Sequence, residues 1–94
     1  MINLNGKTVL ITGASRGIGE AAAQTFIEAG ANVMLTARDL SKLKTIKKDL
    51  GDRAEFFAGD ISNPNFVNEL VDICFQHFGA LDILINNAGT ILPI

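Results

Sequence analysis

Eight residues near the N-terminus, Thr12-Gly13-Ala14-Ser15-Arg16-Gly17-Ile18-Gly19, narrow the folds open to this chain more than any other stretch. They follow the β-branched and apolar run Thr8 to Thr12 and lead into apolar positions at three- and four-residue spacings. The hydrophobic period changes there from that of a strand to that of a helix, and the change falls on three glycines. Gly13 permits a sharp exit from the strand, Gly17 lets backbone approach a ligand closely, and Gly19 lets the helix pack on the sheet. Unpaired N–H groups and the positive end of a helix dipole converge on the same spot, which suits a diphosphate. No Gly-Lys-Ser/Thr follows, so this is not a P-loop. The plainer alternative is a glycine-rich turn that only makes a tight corner.

The rest of the chain repeats that alternation. Runs at Thr8 to Thr12, Asn32 to Ala37, Glu55 to Ala58 and Asp82 to Ile85 read as strands, separated by helix-length segments. The first helix is expected from Gly17, with Ile18, Ala21, Ala22, Phe26 and Ala29 on its apolar side and Gly30 as a left-handed cap. The second, Leu40 to Leu50, carries Leu40, Leu43, Ile46 and Leu50 on one stripe, with Asp39 or Ser41 to cap its start and Gly51 its end. The third opens on Asn63-Pro64, a capping residue before a first-turn proline, and runs through Val67, Leu70 and Cys74 to Gly79. Strands joined by helices pair in parallel, with right-handed crossovers. The expected fold class is α/β: a parallel sheet of four strands in order 3-2-1-4 with three helices.

Composition closes off other classes. Ninety-four residues, 48% hydrophobic and 19% charged, make one domain or part of one, with no sign of disorder. Net charge is −2 and the basic residues are dispersed apart from Lys42, Lys44, Lys47 and Lys48, which speaks against a nucleic-acid partner. The apolar runs are too short to span a membrane, and the first residues have no cleavable signal pattern. The one cysteine, Cys74, allows no internal disulfide, so a reducing, cytoplasmic setting is expected, with Cys74 itself in the core. His77 has no second histidine near it, so no metal site is expected.

After the fourth strand comes Asn86-Asn87-Ala88-Gly89. This segment and the Thr-Gly-x-x-x-Gly-x-Gly turn, in register along the whole chain, resemble the first half of the short-chain dehydrogenase/reductase family. The resemblance implies a partial Rossmann-like fold over residues 1–94 that binds a nicotinamide dinucleotide. The cofactor set is then Gly13, Ser15, Arg16, Gly17, Ile18 and Gly19 at the turn, Arg38 past the second strand, Asp60 and Ile61 past the third, and Asn87, Ala88 and Gly89 past the fourth. By the same resemblance Asp60 accepts from the adenine amino group, Ile61 lies against the ring, and Asn87 to Gly89 line the adenosine ribose side. Asn86 reads as a strand-end stabiliser.

Which dinucleotide is bound turns on Arg38 and Asp39. An acid at the end of the second strand would accept from a ribose 2′-hydroxyl, and an arginine would pair with a 2′-phosphate. If the strand ends at Thr36 or Ala37, Asp39 caps the second helix and Arg38 lies nearest the ribose. Arg16 adds a second guanidinium, a group that matches phosphate bidentately. NADP(H) is therefore expected over NAD(H).

The family's catalytic serine, tyrosine and lysine follow the Asn-Asn-Ala-Gly segment, and this chain contains no tyrosine. No catalytic residue is expected within it; it reads as the NADP(H)-binding segment of an oxidoreductase whose catalytic half is absent. The alternatives are a non-catalytic nucleotide-binding module and a vestigial product that only self-associates. Half of one sheet face and one edge of the fourth strand are expected to be bare, an open template for homo-oligomerisation.

Overall fold

The structure, a computed structural model, describes residues 2–88. It contains β1 (Thr8–Thr12), α1 (Gly17–Glu28), β2 (Asn32–Thr36), α2 (Leu40–Leu50), β3 (Ala54–Phe56), α3 (Pro64–Phe78) and β4 (Ile83–Asn86). The four strands form one parallel sheet in the order β3-β2-β1-β4, as the alternation requires. All five residues of β1 are buried, which is why its sequence runs apolar or β-branched on both faces.

Two apolar layers flank the sheet. On one side Val9, Ile11, Val33 and Leu35 pack against Ala23 and Ile27 of α1 and Leu43 and Ile46 of α2. On the other, Leu10 and Met34 meet Leu70 and Cys74 of α3. Leu84 of β4, paired in register with Leu10, is 41% exposed, so the second face is bare beside β4. An apolar groove of about 50 Å³ lies there among Leu10, Leu70, Val71, Leu81 and Leu84. Among the described residues β4 pairs with β1 alone.

The buried side of α1 departs from expectation. Ala22 and Phe26 are partly buried against the core as expected, but the fully buried residues are Gly19, Ala23 and Ile27, while Ile18 is 78% exposed and Ala21 faces solvent. The cause is Gly19: a Cβ there would stand 2.7 Å from the Gly13 carbonyl oxygen and 2.9 Å from Ala14 Cα. The helix is seated on its glycine, which turns Ile18, a hundred degrees round the axis, outward. Leu40, at the start of α2, is likewise exposed rather than part of the buried stripe.

Strand ends shift by a residue or two. β2 stops at Thr36, and β3 is shorter and starts earlier than Glu55 to Ala58. Beyond Phe56 the pairing survives only as separate bonds, Phe57 N–H to Leu35 O at 3.0 Å and Gly59 N–H to Ala37 O at 2.9 Å. The Thr36 hydroxyl donates to Phe57 O at 2.7 Å. Asp82 stands before β4 and works as a clasp: its carboxylate accepts from Thr8 N–H at 2.9 Å, and its own N–H donates to Thr8 O at 2.9 Å.

Candidate functional site

The strand ends at one edge of the molecule surround a cleft of about 600 Å³. Its floor is the glycine turn, and its walls come from the segments that follow β2, β3 and β4. This is the crevice at the carboxyl ends of parallel strands where open α/β sheets take their ligands.

The turn is held from above by the segment after β4. Gly13 has φ +65°, and a Cβ on it would meet Ala88 N at 3.0 Å and Asn87 C at 3.1 Å. Thr12, the last residue of β1, donates its hydroxyl hydrogen to Asn86 Oδ1 at 2.7 Å and accepts from Ala88 N–H at 3.3 Å. Asn87 Nδ2 donates to the Gly13 carbonyl at 3.2 Å. The two sequence motifs are thus two sides of one contact. Asn86 is a strand-end stabiliser as expected, whereas Asn87 also fastens the turn, a role its position in a turn motif did not reveal.

The start of α1 differs from the other helix starts in the described residues. Asp39 caps α2, its Oδ1 accepting from Lys42 N–H at 3.0 Å, and Asn63 caps α3, accepting from Asn65 N–H at 2.9 Å. At α1 the cap position is Arg16 and no side chain bonds the first amides. Ser15 and Arg16, which lead into those N–H groups, line the cleft, and an anion seated at a helix start can accept from them. Gly17, the first helical residue, has no heavy atom within 4 Å of where a Cβ would point. Its missing side chain leaves room rather than relieving a clash.

Arg38 stands two residues past the end of β2, on the cleft wall, and Asp39 is a helix cap, the outcome attached to a strand ending at Thr36. The Arg38 guanidinium does not stand alone: Nη2 lies 3.4 Å from Asp60 Oδ1. Asp60 Oδ1 also accepts from Ser62 N–H at 2.9 Å and from the Ser62 hydroxyl at 2.7 Å. The two Ser62 bonds hold the Asp60 carboxyl below its usual value; desolvation opposes them, and the lowering by the Arg38 charge is smaller than either. Ile61 is buried on the same wall. Arg16 and Ser15 line the floor, Arg16 being exposed. Lys42, on the first turn of α2, also lines the cleft; sequence reading passed over it as one lysine of a solvated run. Gly89 lies outside the described residues.

The residues present fit a dinucleotide on structural grounds. Ser15 and Arg16 lead from the cleft into a helix start with no side-chain cap, a setting that suits a phosphate, and Arg16, Arg38 and Lys42 put three cations around the cleft.

The family model for short chain dehydrogenases matches residues 7–93. The chain belongs to the short-chain dehydrogenase family.

Among curated members, an uncharacterised oxidoreductase of Staphylococcus saprophyticus is 42% identical over 90 residues, covering 95% of this chain and 37% of that protein. The 3-oxoacyl-[acyl-carrier-protein] reductase of Vibrio cholerae is 43% identical over 88 residues, covering 94% of the chain and 36% of the reductase. Among solved structures, the 3-ketoacyl-(acyl-carrier-protein) reductase of Brucella melitensis, crystallised with NADH, superposes with a TM-score of 0.84 at 39% identity, over 87% of this chain and 34% of that one. The chain therefore spans little more than a third of the length of these relatives. Within that third its four strands and three helices follow the Rossmann-like arrangement of the short-chain dehydrogenases.

Proposed function

We propose that residues 1–94 are the dinucleotide-binding segment of a short-chain oxidoreductase, and that the preferred cofactor is NADP(H). The observation that carries the reading is a cleft lined by Gly13, Ser15 and Arg16 of the glycine turn, which leads directly into a helix start with no side-chain cap. The turn's Gly13, Ser15, Gly17, Ile18 and Gly19 take the pyrophosphate side, Asp60 and Ile61 the adenine, and Asn87, Ala88 and Gly89 the adenosine ribose side. Arg38 and Arg16 take the 2′-phosphate. The bound nicotinamide supplies a hydride acceptor or donor at C4 in the whole enzyme, acting on a carbonyl or alcohol. The chain's own part is to bind and orient. It has no tyrosine to act as the family's acid/base, so the segment by itself is expected to turn over nothing.

Titration of the chain with NADPH and with NADH, followed by nucleotide fluorescence, tests the preference. A charged hydrogen bond contributes about 1.5–3 kcal/mol, so Arg38→Ala should weaken NADPH binding about tenfold or more and leave NADH nearly unchanged. Equal affinities for the two nucleotides in the unmutated chain would overturn the NADP assignment.

A cytoplasmic setting belongs to the same proposal, supported by the single unpaired cysteine, which is buried. No helix in the described residues is long and apolar enough to cross a membrane. We also propose that copies of the chain associate along the edge of β4 away from β1, where no other strand among the described residues pairs and Leu84 is exposed.

A further inference from the structure

We propose that the Arg38–Asp60 ion pair sets how strongly the cleft prefers a 2′-phosphorylated dinucleotide, Asp60 restraining the preference by holding Arg38 and offsetting its charge. The inference rests on the dinucleotide reading above.

Three facts carry it. Arg38 Nη2 is 3.4 Å from Asp60 Oδ1, so the guanidinium on the ribose wall already has an anion beside it. Asp60 is itself fixed: Ser62 places two hydrogen bonds, at 2.9 and 2.7 Å, on that same oxygen. The carboxylate is thus anchored by its own loop, whereas Arg38 has 79% of its side chain exposed. A 2′-phosphate reaching for Arg38 must draw it from an anchored carboxylate and then share the guanidinium with that negative charge. A 2′-hydroxyl meets no such opposition. The pair therefore lowers the affinity for NADP and leaves that for NAD nearly untouched. The other charges lining the cleft do not offset this effect: Arg16 attracts the 2′-phosphate whether or not Asp60 is charged, Lys42 is a cation open to either nucleotide, and Asp39 is committed to the α2 cap.

Asp60→Asn separates this role from contact with adenine. Asparagine still offers an oxygen to Ser62, and the site is exposed, so the fold is retained; the urea midpoint checks this. Any loss at adenine affects both nucleotides alike and cancels in the ratio of the NAD and NADP dissociation constants. Release of Arg38 from an exposed ion pair puts the rise in that ratio at up to about fivefold. The rise should fall below about twofold when Asp60→Asn is made on an Arg38→Ala background, and should shrink in molar salt. A ratio unchanged or lowered by Asp60→Asn overturns the proposal, and so does an equal rise with Arg38 absent, which would mean direct repulsion of the phosphate. If the unmutated chain binds neither nucleotide, the dinucleotide reading itself fails and this proposal falls with it. Binding of both nucleotides with no change on mutation sinks this proposal alone.

Discussion

Gly17 and Gly19 stand two residues apart and do opposite things. A Cβ at Gly19 would strike the Gly13 carbonyl at 2.7 Å and Asn87 Nδ2 at 2.9 Å, whereas one at Gly17 would enter open space. Gly19→Ala is therefore expected to destabilise the fold by about 1–3 kcal/mol through overpacking. Gly17→Ala should leave stability equal or slightly higher while weakening NADPH binding about tenfold or more. Urea denaturation and nucleotide titration of both variants check the contrast, and equal stability of the two would contradict the close approach of α1 to its turn. Cys74 makes a second residue-scale case. Burial pushes its thiol from 9.0 up to about 11. The folded state favours the neutral thiol, so its contribution is complete below pH 9 and is lost as pH rises through 11, on the order of 2–3 kcal/mol in all. The stability difference between the unmutated chain and Cys74→Ala should narrow by that amount between pH 8 and pH 11.

At the scale of elements, each helix end is made by a local device. Gly30, at φ +97°, closes α1: its N–H bonds Ile27 O at 3.0 Å, and Ala31 N–H bonds Phe26 O at 3.0 Å. Arg53 adds bonds at the same end, Nη1 to Ala31 O at 2.7 Å and Nη2 to Ile27 O at 3.0 Å, and so ties the chain before β3 to the end of α1. At the start of α2, Asp39 has been read both as a cap and as a ribose acceptor, and charge separates the two. Asp39→Asn keeps a capping oxygen, so stability should stay within about 0.5 kcal/mol and NADH affinity should not move, while Asp39→Ala should cost about 1 kcal/mol. A fall in NADH affinity with Asp39→Asn would reassign the residue to the ribose.

For the molecule as a whole, a ligand that binds only the folded state raises its stability, by about 2.7 kcal/mol at a hundred times the dissociation constant. NADPH should therefore raise the melting temperature, and no rise at millimolar nucleotide would favour a chain that folds and binds nothing. The open edge of β4 and the groove beside Leu84 carry the other expectation. Sedimentation should show concentration-dependent association, reduced by Leu84→Lys. A clean monomer at high concentration would remove the self-association proposal.

Most of the frame was legible in the sequence, because strand and helix periods, caps and glycines act over a few residues. Asn63-Pro64, Gly30 and the β1 joint each end or begin an element for reasons local to the chain. The parallel order 3-2-1-4 followed from connection length and handedness. Which side of α1 is buried was not legible, because Ile18 and Ile27 look alike in a pattern and only the contact of Gly19 with Gly13 decides between them. Nor were the partners of Arg38 and Asn87: Asp60 is 22 residues from Arg38, and Gly13 is 74 residues from Asn87. The Ser62 bond to Asp60, two residues away, was within reach of a turn signature. Local spacing and residue type were enough for the elements, their order and the motifs at the strand ends. The tertiary structure alone decided which charges face one another there, because electrostatic contacts depend on distances in space that no local spacing encodes.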